Sequence, residues 1–208
     1  MTEPYSVWTG DLPLILASKS QIRQELLERA GLSPKIESPN FDERAFETSL
    51  RREELPIGER AAALANEKAR LVSLAFADHY VVGADQMLTC DGIIFHKLAV
   101  LSEAKLQLAF LSNKTHQLIS AVSVARNGHI LFADTDTAKL TMRAMTNDQI
   151  DAYCAIAGDA LYQSVGCYQL EGLGVHLFDR VEGDFFTILG IPLEPLIGFL
   201  RREGCLSL

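Results

Sequence analysis

Four carboxylates and three cations in this chain sit where their charge needs a reason. Asp85 closes the apolar run Tyr80-Val81-Val82-Gly83-Ala84. The C-terminal end of a buried strand is where α/β sheets place catalytic groups, although a turn aspartate that ends a strand looks the same. Lys68 falls inside the apolar stripe of a helical segment, four residues after Leu64 and three before Leu71. Lysine is rarely buried unless paired, so it either snorkels to the helix edge or points into a cleft. Arg23 falls near the start of another helical segment, where a cation opposes the macrodipole unless an anion sits there. Lys97 lies among apolar residues in GIIFHKLAVL and reads equally as an exposed loop lysine. Asp42-Glu43 lies in the polar stretch SPNFDERAFE. It is either a solvated acidic loop or a pair able to share a hard cation with water and phosphate. Glu171 is flanked by Gly166, Gly172 and Gly174, where a backbone can approach a ligand closely. Its carboxylate could accept the N1–H and exocyclic amine of a guanine, or it is simply exposed on a hairpin turn.

The elements that carry these residues can be read from periodicity and turn chemistry. Leu12 to Gly31 reads as a buried strand over 13–17, a polar loop and an amphipathic helix. Ser18 and Gln21 have capping-box spacing, so the helix is expected to open at Ser18, and Gly31 suits its stop. Strand, Ser-containing loop, helix start and Arg23 together point to a phosphate site. Helices are expected over 59–76, 102–112, 147–157 and 194–202, the third capped by Thr146 and Gln149 and stopped by Gly158. Strands are expected at 80–84 and 117–125, and Asn127-Gly128 turns the latter into 129–141. Asp134 and Asp136 alternate there and read as a solvent-facing edge. A second strand pair is expected through 167–180. The fold class is α/β with a mixed, twisted sheet.

Composition bounds the function. The 208 residues are 48% hydrophobic and 22% charged, enough for one globular domain with a sizeable core. The formal net charge of −8 argues against a nucleic-acid surface, so an anionic substrate needs a local cationic cluster or a metal. No apolar run is long enough to span a bilayer, and residues 1–10 lack a secretory pattern. Cys90, Cys154, Cys167 and Cys205 show no CxxC and read as reduced thiols of a cytosolic protein. The five histidines have no ligand spacing. Neither GxxxxGK[ST] nor GxGxxG occurs.

Taken in order, LILASKSQIRQELLERAG, FDE, LANEKA, VVGADQ, the Gly166 to Gly174 stretch and GDFFTILGIPL resemble the Maf family of nucleoside triphosphate pyrophosphatases, once described as septum-formation inhibitors. The resemblance covers about residues 12–203. It implies a Maf/ITPase-like mixed α/β fold with a deep central cleft, a single domain of two lobes over 1–208, and often a homodimer. It implies hydrolysis of a nucleoside triphosphate to monophosphate and pyrophosphate with a divalent cation, Mg²⁺ or Mn²⁺. Carried over, Asp85 becomes the general base or water-positioning acid, assisted by Lys68 and Lys97. Ser18, Arg23, Lys68 and Lys97 hold the phosphates, Ser20 also binds the substrate, and Glu43 with Asp85 ligates the metal. The chain departs from the commonest pattern at Ile22, Gln86, Glu171 and the sequence His96-Lys97-Leu98. Ile22, Gln86 and Glu171 resemble the subfamily acting on 7-methyl-GTP rather than on dTTP and UTP. Two rival expectations remain: the same hydrolysis acting on dTTP or UTP, and a nucleotide-binding regulator of septum formation with little turnover.

Overall fold

The apolar stretch Leu14-Ile15-Leu16-Ala17 is entirely buried, and only Ile15–Leu16 (β1) is regular strand. In the computed structural model, which describes residues 5–208, β1 pairs in parallel with Lys35–Ile36 (β2) and with Val81–Cys90 (β3). The further strands are Ile93–Phe95 (β4), Thr115–Arg126 (β5), His129–Met142 (β6) and Phe178–Glu182 (β7). They form one sheet in the order β2-β1-β3-β5-β6-β7, with β4 paired to β3. The parallel pairs at β1 and the antiparallel pairs β3/β4 and β6/β7 make it a mixed sheet, as expected.

The helices are Gln21–Arg29 (α1), Glu43–Arg52 (α2), Ile57–Ala75 (α3), Leu101–Leu111 (α4), Asn147–Ala157 (α5), Phe185–Leu189 (α6) and Leu193–Arg202 (α7). Among the described residues no helix is long and apolar enough to cross a membrane. The expected capping box of α5 is present, with Thr146 and Gln149 reciprocally bonded. The hairpin turn is also present, Asn127 and Gly128 both having positive φ.

Contacts divide the chain into two compact units. One comprises the chain up to Asp85, with Ser120–Asp136 and Gly190–Leu208; the other comprises Gln86–Ile119 and Thr137–Leu189. Strands β3, β5 and β6 contribute residues to both. Within the first unit Ile15, Ala17, Val72 and Val81 pack together. The larger core of the second gathers Leu88, Leu108, Leu118, Leu140, Tyr153 and Tyr168.

Four expectations are corrected. Helix α1 opens at Ser20, not Ser18: the Ser18 hydroxyl accepts from the Ser20 N–H and from Arg23, and Gln21 donates to Glu25 instead of closing a box. Residues 43–52 are helix rather than polar loop, because the Asp42 side chain accepts from the Ala45 N–H and caps α2. The stretch 167–177 is turn and 3₁₀ helix rather than strand. There the N–H groups of Gly172 and Gly174 both donate to the Gln169 carbonyl, which folds the chain on itself. Asp134 and Asp136 are half-buried rather than edge residues, since the two-residue period puts them in phase with buried Ala138, Leu140 and Met142.

Candidate active site

Asp85 does not end its strand. Strand β3 runs through it to Cys90, so the carboxylate projects from mid-strand, contrary to the expectation. What ends at Asp85 is the fully buried stretch: Val81, Val82 and Ala84 are inaccessible, while the Asp85 side chain keeps 13% of its exposure.

The partner of Asp85 is Lys68. Its Nζ donates to Asp85 Oδ1 at 2.7 Å and lies 2.7 Å from Glu43 Oε2. The Lys68 side chain is only 9% exposed, so it does not snorkel; it is buried and paired. Each element has a local reason for its position. Asp42 caps α2 and so sets Glu43 at its first residue. Gly83 lets α3 lie directly on β3, because a Cβ there would run into the Ala65 carbonyl oxygen and come within 2.7 Å of the Ala69 nitrogen. Ala65 and Ala69 flank the turn of α3 that carries Lys68.

Arg23 completes the cluster. Its Nε donates to the Gly190 carbonyl at 2.8 Å, and its Nη1 donates to the Ala84 carbonyl at 3.0 Å and to Ser18 Oγ at 3.2 Å. Burial pushes its pKa below the usual arginine range, and the charges of Asp85 and Glu43 push it back up. The guanidinium is thus fixed next to a carboxylate pair instead of being spent at the surface. Ser20 is half-buried at the helix start and Ile22 is half-buried one residue before Arg23.

Of the expected residues, the fold brings together Ser18, Arg23, Glu43, Lys68 and Asp85. Ser20 and Ile22 lie in the same unit, whereas Gln86, Lys97 and Glu171 belong to the second. Lys97 is exposed in the loop after β4, and Glu171 is exposed in the turn before the 3₁₀ helix Leu173–Leu177. The Gln86 amide donates to the carbonyls of Thr187 (3.1 Å) and Ile188 (2.9 Å), so both its hydrogens are committed to the backbone of α6. Residue-by-residue reading missed Gly83, Gly190 and the Asp42 cap. Gly83 is invisible as a contact residue because its function is to have no side chain. Gly190, with φ of 104°, bends the chain so that its carbonyl meets Arg23, a contact 167 residues distant in sequence.

The arrangement sets two buried cations, Arg23 and Lys68, beside the Asp85 carboxylate, a combination able to bind an anion and to take a proton or orient water. The family model for Maf-like proteins matches residues 13–203. A protein of Nitrobacter hamburgensis named nucleoside triphosphate pyrophosphatase is 51% identical over 204 residues, which are 98% of this chain and 100% of that protein. Proteins of the same name from Nitrobacter winogradskyi and Bradyrhizobium diazoefficiens are 48% and 46% identical, with 98% and 97% of this chain covered and 100% and 98% of theirs. With the family model spanning both units and the cluster of cations and carboxylates formed from its motif segments, the chain belongs to the Maf-like protein family.

Proposed function

We infer that this chain hydrolyses nucleoside triphosphates to the monophosphate and pyrophosphate, and we propose a guanine nucleotide of the 7-methyl-GTP type as the substrate. The observation that carries the reading is the Lys68 ammonium bridging Asp85 and Glu43 beside the fixed Arg23. The names of the relatives support the reaction class.

In this reading Asp85 accepts the proton of the water that attacks the α-phosphorus, and the bond to the β-phosphate breaks. Lys68 holds the Asp85 carboxylate in one orientation, so that no reorganisation is needed as the reaction proceeds. Arg23, held by three protein acceptors, turns Nη2 toward a phosphate oxygen, and Ser18 steadies its guanidinium. Lys97 contributes a further cation for the phosphates.

A divalent cation fits this donor set. Among the described residues no three His, Cys, Asp or Glu side chains gather as a metal cage. Two carboxylates with substrate phosphate and water are nevertheless what Mg²⁺ or Mn²⁺ commonly uses. Glu43 and Asp85 would hold it, and when bound it supplies charge to offset that developing on the leaving pyrophosphate.

Base choice is assigned to the second unit. Glu171, exposed on its turn, accepts the N–H donors of the guanine edge, and Gln86 fixes the backbone of α6. The test is pyrophosphate release from 7-methyl-GTP, GTP, dTTP and UTP with Mg²⁺ or Mn²⁺, repeated with EDTA. We expect the highest kcat/KM for 7-methyl-GTP and loss of activity on chelation. Preference for UTP or dTTP overturns the base assignment. No release from any of them overturns the enzyme reading and leaves a nucleotide-binding regulator.

A further inference from the structure

The second unit buries a polar pair that the reaction does not use. His116, on β5, is fully inaccessible, and its Nε2 lies 2.6 Å from the Tyr168 hydroxyl. The rings of Tyr168 and Phe178 pack on it at centroid distances of 5.7 and 5.8 Å. Its Nδ1 is buried and has no hydrogen-bond partner. Counting donors fixes the tautomer. If the Tyr168 hydroxyl donates to Nε2, the ring proton sits on Nδ1 and one donor is left unmade. In the reverse arrangement the Nδ1 lone pair and the phenolic proton are both left unmade. The hydroxyl therefore donates.

Such a pair is costly as packing. A buried polar atom left without a partner keeps its desolvation penalty, and two apolar groups of the same shape would avoid it. What the pair provides is direction, since a hydrogen bond fixes a ring where apolar contact alone tolerates slippage.

The ring it fixes belongs to an irregular segment with no ladder to hold it. Residues 163–174 are fastened by side chains instead. Gln107 Nε2 donates to the Val165 carbonyl, Tyr153 to the Cys167 carbonyl, and Ser164 Oγ both donates to the Tyr168 carbonyl and accepts from its N–H. Cys167 has φ of 59°, a strained value for a residue with a side chain. Three residues beyond Tyr168 the turn exposes Glu171. Its shape depends on the Gln169 carbonyl, which accepts from Gly172 and Gly174.

We propose that His116 is a positioning residue: through its bond to Tyr168 it holds the turn that carries Glu171, and so sets the selectivity for the base. The inference rests on the assignment of base recognition to Glu171. The experiment compares wild type with Tyr168→Phe, which removes one oxygen and keeps the ring, and with His116→Phe. Two readouts are taken: amide hydrogen exchange over 164–174, and the ratio of kcat/KM for 7-methyl-GTP to that for UTP. Glu171→Gln is measured in parallel. We expect exchange in 164–174 to quicken in both variants while α1 and α3 keep wild-type protection, and the ratio to fall about tenfold. The double variant should lose no more than the larger single loss, because both changes break one bond. Unchanged exchange overturns the proposal. Quickened exchange with an unchanged ratio also overturns it, provided Glu171→Gln lowers the ratio. If Glu171→Gln leaves the ratio unchanged, the base assignment itself fails, and exchange alone decides whether His116 holds the turn.

Discussion

At the residue scale the proposed chemistry depends on one ammonium with two carboxylate partners. Lys68 is nearly buried, yet its charge is matched by Asp85 and Glu43, both at 2.7 Å. Asp85→Asn removes the proposed base and leaves Lys68 paired with Glu43. Loss of a general base costs about 10²–10⁴ in rate, so kcat should fall by that range while the circular dichroism spectrum is retained. A variant that keeps more than about a tenth of wild-type kcat would show that Asp85 is not the base. His116 gives a second prediction at this scale. Burial lowers its pKa from the usual 6.5 to about 4. Between those values the unfolded chain takes up a proton that the folded chain refuses. Stability from the neutral imidazole is therefore complete above pH 6.5 and is lost as pH falls toward 4, by on the order of 3 kcal/mol. The groups packed on the ring are Tyr168 and Phe178, neither of which offsets a positive charge with a carboxylate. Thermal melts from pH 7.5 to 4.5 should show a steeper decline for wild type than for His116→Phe, and parallel curves would remove His116 from the acid response.

At the element scale the site depends on how closely α3 approaches β3. The apolar stripe of α3 buries Ala61, Leu64, Ala65, Ala69 and Val72, and Lys68 shares that face. Gly83 makes the approach possible, since any Cβ would meet the helix backbone rather than a flexible side chain. Gly83→Ala should push the helix outward. Overpacking of this kind costs about 1–3 kcal/mol, which corresponds to a Tm lowered by several degrees in a domain of this size. Because Lys68 moves with the helix, kcat should also fall at temperatures where the variant is still folded. A Tm loss with wild-type kinetics would mean that the spacing of α3 and β3 supports the fold alone. Helix α2 follows the same logic at smaller cost: the Asp42 cap decides where the helix starts and thus where Glu43 stands.

At the scale of the whole molecule, two compact units share three long strands, β3, β5 and β6. A covalently continuous strand that is ordered in one unit restricts the chain in the other. Thermal unfolding should therefore show a single calorimetric transition, with van't Hoff and calorimetric enthalpies in agreement. Two resolved transitions would show that the units melt independently. The division also separates the proposed tasks by residue: Ser18, Arg23, Glu43, Lys68 and Asp85 lie in one unit, and Gln86, Lys97, Glu171 and His116 lie in the other. Boundary residues Asp85 and Gln86 are adjacent in sequence, so one strand carries the proposed base and the residue that braces α6.

Sequence alone determined whatever follows from short-range repetition. The buried run at 14–17, the Thr146/Gln149 box and the Asn127-Gly128 turn are all local patterns, and each formed as read, while the stripe of α3 formed around Ala61, Leu64, Ala65 and Val72 with Leu71 only half-buried. The same is true of the motif residues Arg23, Lys68 and Asp85, whose types and order carried the family resemblance. Local reading failed where a local signal had two solutions. The Ser18/Gln21 spacing suits a cap, but the Ser18 hydroxyl accepts from the Ser20 N–H and from Arg23, and the helix begins after Ser20. The glycines of 166–174 fit a hairpin or a folded turn. Side chains from α4, α5 and β5 settled on the turn, by bonds spanning up to 58 residues. Tertiary structure alone decided that Lys68 is shared by Glu43 and Asp85 and that Arg23 meets Gly190, since charge pairing and carbonyl direction exist only after distant segments have packed. Gly83 marks the boundary between the two kinds of information: its identity is in the sequence, but the absent side chain acquires meaning only when α3 lies against it.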